Sequence, residues 1–380
     1  MLDVILTGSV AFFITFLAIP VVMQVAEIKK LYDIPDQRKL HKQPIPSLGG
    51  IAIFAGFLLA SLLSISAFNN PEFQYFFAAA FVIFLLGLKD DLVILSATKK
   101  IAGQLVATAI LVHLGGIRLT SMHGLFGFQE VPEAFSLALS YLTIIVVMNS
   151  FNLIDGVDGL AGSLGIMTML VFGIYFFLAE EPAYSLLAFA LAGSLLAFLI
   201  FNHHPAKIFM GDSGSLMIGL VSAILVIRFI NLADSPGALV PVGSSVAVGF
   251  AVLMVPLFDT LRVFSIRIFK GISPFTPDRN HIHHLMIDRG MNPPAVTLSC
   301  LAINLLFLTA AFLLKGMGAT NLLLILLGIG FAGLATFYLR RPRRQLVVAK
   351  RLDTASVKAD YKAPSKLVAL TKESAVAEKN

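Results

Sequence analysis

Long apolar runs without a charged side chain recur along the whole of this chain, and they constrain its fold more than any other feature. Many windows longer than about 18 residues carry no charge, which is close to the length of a helix that crosses a bilayer. Only 13% of the 380 residues are charged, whereas soluble domains average about 25%. A transmembrane β-barrel would show short segments of alternating hydrophobicity instead. The sequence therefore predicts an all-α polytopic membrane protein.

Eleven of these runs have roughly the length of a membrane-spanning helix. The third run is short, and residues 134–179 form a nearly continuous run that we divide at its polar centre. The predicted spans are 3–26, 48–67, 73–88, 101–117, 134–150, 160–179, 183–202, 213–232, 238–261, 296–315 and 319–339.

Lysine and arginine are distributed unequally between the segments that connect the spans. With the N-terminus outside, 25 of the 28 Lys and Arg residues fall in cytoplasmic segments and two in outside segments. Because basic loops stay in the cytoplasm, we predict an outside N-terminus and a cytoplasmic C-terminus. Residues 340–380 hold eleven basic and four acidic residues. We predict that they form a disordered basic tail beside anionic lipid, following a transmembrane domain of residues 1–339, and we expect no nucleic-acid partner.

Polar residues are concentrated in four clusters, and this orientation places all four at the cytoplasmic side. They are "GLKDDL", "NLIDGVDG", "NHHPAKIFMGDSGS" and "SPFTPDRNHIHH". The outside connections are short and contain few polar residues. The chemistry of this chain is therefore expected at the cytoplasmic surface of the membrane.

Three aspartates in these clusters are candidate metal ligands. Asp90 and Asp91 are adjacent at the end of the third span, where they could also simply terminate the helix. Asp212 lies where the eighth span begins, and Asp212, Ser213 or Ser215 could act there as a helix cap. Free N–H groups at that helix end also favour phosphate. Carboxylates are the hard oxygen ligands that Mg²⁺ prefers, together with substrate phosphates.

Asn149, Asn152, Asp155 and Asp158 recur at three-residue spacing between two apolar runs. On one continuous helix they would form a single polar stripe. The simpler alternative is a polar helix end with a capping aspartate, although one cap does not require four such side chains. Ionisable residues at membrane depth are candidates for a functional site.

Several basic residues and one phenylalanine are further candidates for substrate binding. His281, His283 and His284 follow Arg279, which favours phosphate binding over the alternative of a zinc site, because the guanidinium would repel a cation. Lys42 is either a positive-inside anchor or a phosphate contact. Phe209 either packs in the interior or stacks on a base. Carboxylates for metal and basic groups for phosphate together predict phosphoryl or phosphosugar transfer at the inner leaflet.

The four clusters, in this order and together with "RKLHKQPIPSLGG", resemble the polyprenyl-phosphate N-acetylhexosamine-1-phosphate transferases of glycosyltransferase family 4. The resemblance covers nearly all of residues 1–340. "SPFTPDR" before "HIHH" is similar to the WecA-like branch, which transfers GlcNAc-1-phosphate from UDP-GlcNAc to undecaprenyl phosphate. The alternative peptidoglycan branch, which transfers phospho-MurNAc-pentapeptide, more often has three consecutive histidines. Some members carry a third acidic residue where this chain has Ile94, so no role of that carboxylate is carried over.

The resemblance implies an enzyme of the bacterial cytoplasmic (inner) membrane that releases UMP and starts synthesis of a cell-envelope polysaccharide. It implies a Mg²⁺ cofactor, for which Mn²⁺ can substitute. The implied partners are a UDP-N-acetylhexosamine, undecaprenyl phosphate and the lipid bilayer, and the resemblance admits a homodimer. Which N-acetylated sugar is used stays open.

The resemblance also implies a role for each matching residue. Asp90 and Asp91 would be the catalytic pair, while Asp212 and Asn152 would meet Mg²⁺ and the pyrophosphate. The implied substrate-binding residues are Asp158 and Phe209 at the uracil, Asp155 near the sugar nucleotide, Lys42 at the nucleotide or the lipid phosphate, and Arg279, His281, His283 and His284 at phosphate or sugar. Asp259 lies near the same face and is given no role.

Two other classes of protein remain as alternatives. A secondary transporter would place ionisable groups near the midplane on broken, repeated helices, but here they cluster at one end without a repeat. A lipid-binding scaffold would have no need of Asp90, Asp91 and Asp212 together. For the transferase, a lipid phosphate has a second pKa of about 6 and hardly needs a strong base. We therefore favour its direct attack on the β-phosphorus over double displacement through an aspartyl-phosphate.

Overall fold

The computed structural model describes residues 1–33, 44–66, 68–271 and 280–339. These described residues are 76% helical with almost no strand, which confirms the all-α class. The predicted basic tail of residues 340–380 lies outside the described residues.

The helices follow the predicted apolar runs along the chain. Those of the described residues are α1 (Leu2–Lys29), α2 (Gly49–Ser64), α3 (Glu72–Leu92), α4 (Ala97–Ala109), α5 (Glu133–Ile154), α6 (Leu160–Leu178), α7 (Pro182–Asn202), α8 (Gly211–Ala233), α9 (Ser245–Val252), α10 (Met254–Phe269), α11 (Ile282–Ile287), α12 (Pro293–Leu314) and α13 (Ala319–Leu339). A π-helical turn, Ile110–Leu114, extends α4, and a 3₁₀ turn, Lys315–Met317, follows α12.

The described residues also contain two short antiparallel strand pairs that the apolar pattern did not predict. β1 (Tyr32–Asp33) pairs with β2 (Ile45–Pro46), and β3 (Ser121–Leu125) pairs with β4 (Phe128–Glu130). Within the described residues, seven helices are long and apolar enough to cross a membrane, or eight if the bent pair α9 and α10 forms one span. The polytopic membrane class is therefore confirmed, while the count of eleven spans and their orientation stay predictions.

The ninth predicted span, residues 238–261, is not one straight helix. Instead α9 and α10 meet at an angle of 87°. Pro256 lies in the first turn of α10 and has no N–H to continue the hydrogen-bond ladder across the break. Asn304 of α12 compensates, because its side chain donates to the carbonyl of Val252 at 3.0 Å and accepts from the N–H of Val255 at 2.9 Å. A neighbouring side chain thus replaces the backbone partners that the bend removes.

Helix α8 is the most deeply buried candidate span, with 83% of its most apolar stretch inside the bundle. Among its neighbours are α3 and α5. Gly219 permits the approach of α5, since a Cβ there would lie 2.4 Å from the Cα of Met148. A side chain at this position would push α5 away, and with it Asn152, one turn further along α5. Close helix packing therefore brings the end of α5 to the start of α8.

Candidate active site

A lysine joins two carboxylates where α8 begins. Asp90 lies in the last turn of α3, Asp212 is the second residue of α8, and Lys100 lies in the first turn of α4. The ammonium nitrogen of Lys100 pairs with Asp90 and lies 2.7 Å from Oδ2 of Asp212. The side chains of Asp90 and Asp212 are only 10% and 24% exposed, so water and salt screen these pairs weakly. Lys100, which received no role from its sequence, is central to this cluster.

Asp91 has a different role from its neighbour, because it caps α8 from another helix. Its Oδ1 accepts the N–H of Asp212 at 2.6 Å, and its Oδ2 accepts the N–H and the hydroxyl of Ser213 at 3.1 and 2.6 Å. Gly211 makes room for this, since its φ is 74° and a Cβ there would lie 2.6 Å from both carboxylate oxygens. The alternative that Asp212, Ser213 or Ser215 caps the helix is wrong. Two of the first N–H groups of α8, a predicted phosphate site, are therefore occupied by Asp91.

The predicted polar stripe of α5 is divided between two partners. Asn152 donates to Oδ1 of Asp212 at 2.9 Å and to the hydroxyl of Ser215 at 3.1 Å. Asn149 instead pairs reciprocally with Gln104 of α4, at 2.8 and 3.3 Å. Of the two asparagines, Asn152 therefore reaches the carboxylate cluster, while Asn149 ties α5 to α4.

Helix α5 ends at Ile154, so Asp155 and Asp158 lie in the loop that follows it. Burial, together with the negative charges of Asp212, Asp91 and Asp158, raises the pKa of Asp155 from 3.8 to about 8. This carboxyl group is therefore protonated at neutral pH in the metal-free protein, and it can donate a hydrogen bond there.

We expect the stability of the metal-free protein to fall between pH 6 and 8 because of Asp155. The unfolded chain releases this proton near pH 3.8 while the folded chain holds it to about pH 8, so stability is lost as pH rises through this range, by at most about 1.4 kcal/mol per pH unit. Asp155→Asn should remove the contribution of Asp155 to that slope and melt at a higher temperature than the wild type above pH 8, while Asp91, whose pKa burial raises to about 7, still contributes at lower pH. Thermal melting in EDTA at several pH values measures it, and parallel curves for the two proteins would contradict it.

One buried amide joins the two loops that carry Asp158 and Phe209. The side chain of Asn202 accepts the N–H of Gly159 at 2.9 Å and donates to the carbonyl of Ile208 at 2.8 Å. These two partners are the residues next to Asp158 and Phe209. The loop between α7 and α8 is thereby fastened to the loop between α5 and α6, as expected if both residues contact one ligand.

Asp259, to which no role was assigned from the motifs, organises the start of the histidine motif. Its Oδ2 lies 2.8 Å from Nδ1 of His281, and its Oδ1 accepts from the N–H of Ile282 and from Arg262, each at 2.9 Å. A carboxylate can only accept, so Nδ1 of His281 carries the proton. Nε2 is then the nitrogen left for a ligand, and the bend before α10 is what places Asp259 there.

His283 lies against the same loop as Asp155. A Cβ on Gly156 would lie 2.4 Å from Nε2 of His283, so the ring packs directly on that backbone. Burial and the nearby charge of His284 lower the pKa of His283 to about 3, so this imidazole is neutral. His284 is half-buried in the same short helix. Arg279 and Lys42 lie outside the described residues.

The cluster at the start of α8 offers the ligands that Mg²⁺ prefers. Asp90, Asp212 and the side-chain oxygen of Asn152 are hard oxygen donors, and the ammonium of Lys100 between the two carboxylates indicates a position that accommodates positive charge. Within the described residues no group of three or more His, Cys, Asp or Glu side chains could hold a metal ion alone. Mg²⁺ commonly binds one or two carboxylates and completes its shell with phosphates and water, so the residues fit it.

By its fold and its site, the chain is a membrane-embedded enzyme, with carboxylates, an ammonium group and imidazoles gathered at one end of a helical bundle. A family model for glycosyl transferase family 4 matches residues 73–230, which run from α3 to α8 and include the carboxylate cluster. The chain belongs to this family, and the family predicted from its motifs is confirmed.

Individual relatives support the same assignment. The chain is 31% identical over 315 residues to a probable undecaprenyl-phosphate N-acetylglucosaminyl 1-phosphate transferase of Bacillus subtilis (strain 168), covering 80% of this chain and 84% of the relative. It is 30% identical over 265 residues to the undecaprenyl-phosphate alpha-N-acetylglucosaminyl 1-phosphate transferase of Yersinia pestis, covering 68% and 70%. The protein of that name from Escherichia coli (strain K12) is 30% identical over 272 residues, covering 70% and 72%.

Proposed function

We propose that this protein transfers GlcNAc-1-phosphate from UDP-GlcNAc to undecaprenyl phosphate at the cytoplasmic face of the bacterial inner membrane, with release of UMP. The observation that carries the proposal is the arrangement of Asp90, Lys100 and Asp212 at the start of the most buried helix. The names of the relatives favour this reaction over transfer of phospho-MurNAc-pentapeptide. The product would start the synthesis of a cell-envelope polysaccharide.

The reaction brings two anions together, so neutralisation of charge is the main task of the site. Lys100 supplies a cation that is held in place by two carboxylates and does not need to reorganise during the reaction. Mg²⁺, held by Asp90, Asp212 and Asn152, would supply further neutralisation of the donor pyrophosphate. Asp91 keeps Asp212 in position through the start of α8.

The geometry favours direct attack over a covalent intermediate. Oδ1 of Asp90 accepts the N–H of Leu95 at 2.6 Å and Oδ2 pairs with Lys100, while both oxygens of Asp91 bind the start of α8. Carboxylates held in this way are poor nucleophiles but good positioning groups. An oxygen of the lipid phosphate, mostly dianionic at cytosolic pH, attacks the β-phosphorus of UDP-GlcNAc. The bond from that phosphorus to the bridging oxygen breaks, and UMP leaves.

Purified full-length protein in detergent or proteoliposomes tests the proposal. We expect UMP release from UDP-GlcNAc that requires both undecaprenyl phosphate and Mg²⁺, and a panel of other UDP-N-acetylhexosamines identifies the preferred sugar. EDTA should abolish the reaction, and added Mg²⁺ or Mn²⁺ should restore it. Protein that releases no UMP with any donor but moves solute into liposomes would be a transporter, and the proposal would be wrong.

A further inference from the structure

Asp158 is bound on one carboxylate oxygen and open on the other. Its Oδ2 lies 2.7 Å from Nδ1 of His204 and accepts the N–H of Ala206 at 3.2 Å. Within the described residues, Oδ1 has no hydrogen-bond partner. The side chain is 19% exposed, so it is partly accessible from solvent. His204 therefore determines which face of Asp158 is presented.

An ionised carboxylate accepts hydrogen bonds and cannot donate them. Because His204 and the N–H of Ala206 both lie at Oδ2, the carboxylate of Asp158 is oriented with Oδ1 as the oxygen left to accept from a ligand. The Watson–Crick edge of uracil offers an N3–H donor, while cytosine offers an unprotonated N3 at the same place. An acceptor fixed opposite N3 pairs with the N3–H of uracil. Opposite cytosine it faces the unprotonated N3, which is also an acceptor, and the two atoms stay unpaired.

We propose that His204 determines nucleotide specificity, holding Asp158 so that the site accepts uracil and rejects cytosine. This inference rests on the proposed function and on the contact of Asp158 with the base that the family resemblance implies. His204 acts through Asp158 and is a positioning residue. Its neighbour His203 is exposed, and its side chain makes no hydrogen bond or ion pair with other described residues, so it provides a matched control.

The test compares UMP and CMP as inhibitors of transfer from UDP-GlcNAc by the full-length enzyme. We expect the wild type and His203→Ala to prefer UMP by about 100-fold or more, since a site built around a hydrogen bond strongly rejects an analogue that lacks it. In His204→Ala, inhibition by UMP should weaken about tenfold and the KM for UDP-GlcNAc should rise by the same factor, with kcat changed less than twofold. His204→Asn should restore the preference, because its Nδ2 can donate from nearly the position of Nδ1.

Asp158→Asn provides a second measurement that does not depend on His204 variants being folded. Its amide can rotate to donate to N3 of cytosine, so the ratio of UMP to CMP affinity should approach one. The inference is overturned if His204→Ala keeps the preference of His203→Ala, if its kcat falls while KM is unchanged, or if Asp158→Asn keeps the preference. Absence of UMP release by the wild type would instead refute the proposed function, so the two failures are distinct.

Discussion

Replacing Asp212 with asparagine should lower kcat for sugar-phosphate transfer by about 1,000-fold while leaving the protein folded. Asp212 contacts both Lys100 and Asn152 at the start of α8. The substitution keeps the size of the side chain and one acceptor oxygen, but it replaces the oxygen that accepts from Lys100 or Asn152 with an NH₂ donor and removes the charge that balances Lys100 and would hold Mg²⁺. Loss of one preorganised electrostatic group costs about 100- to 1,000-fold, and loss of a metal ligand adds to this.

The same substitution at the opposite end of α8 is the control. Asp234 follows the last residue of that helix, far along the axis from Asp212, and Asp234→Asn should keep near wild-type activity. Thermal melting with increasing Mg²⁺ provides a readout besides activity. The wild type and Asp234→Asn should be stabilised by Mg²⁺, whereas Asp212→Asn should respond weakly or not at all. Activity within about tenfold of wild type in Asp212→Asn would exclude this residue from the chemistry.

The carboxylates of the site could be predicted from the sequence because each interrupts an apolar run. Asp90, Asp91 and Asp212 are charged residues at the ends of membrane-length segments. Charge is costly there, so such residues are candidates for a functional site. The structure brings all three together at the start of α8. What the pattern could not give is the division of roles between adjacent residues. The direction of each side chain at the end of α3 decides that Asp91 caps α8 while Asp90 pairs with Lys100.

Residues that act through a distant partner were missed for a related reason. Lys100 meets a carboxylate 112 residues further along the chain, and in the sequence it is one of several basic residues in a connection that is predicted to be cytoplasmic. Asn304 lies in an apolar run, and its role was not predicted. A single buried amide in a membrane span is nevertheless a signal that the helical hydrogen bonds of a neighbouring segment are interrupted. The bend between α9 and α10 depends on that tertiary contact, so local hydropathy predicted a single straight span. Asp259 acquires its role only through this bend.

Replacing Lys100 with methionine should lower kcat about 100-fold or more and, at the same time, tighten the binding of Mg²⁺. Methionine keeps most of the apolar stem of the side chain and removes the ammonium, which is the fixed cation between Asp90 and Asp212. Without it the site loses preorganised stabilisation of the reacting phosphates. The two carboxylates are then left with a like charge opposite each other, and a divalent cation relieves that repulsion.

Lys99→Met is the matched control, because Lys99 is exposed on the same turn of α4 and should be replaced without effect. Mg²⁺-dependent melting should reach its midpoint at a lower metal concentration in Lys100→Met than in either Lys99→Met or the wild type. A Lys100→Met variant that loses activity and binds Mg²⁺ less tightly would show that Lys100 positions the metal ligands instead of competing with the metal for their negative charge. A Lys100→Met enzyme with the wild-type rate would remove Lys100 from the mechanism and leave neutralisation to the metal alone.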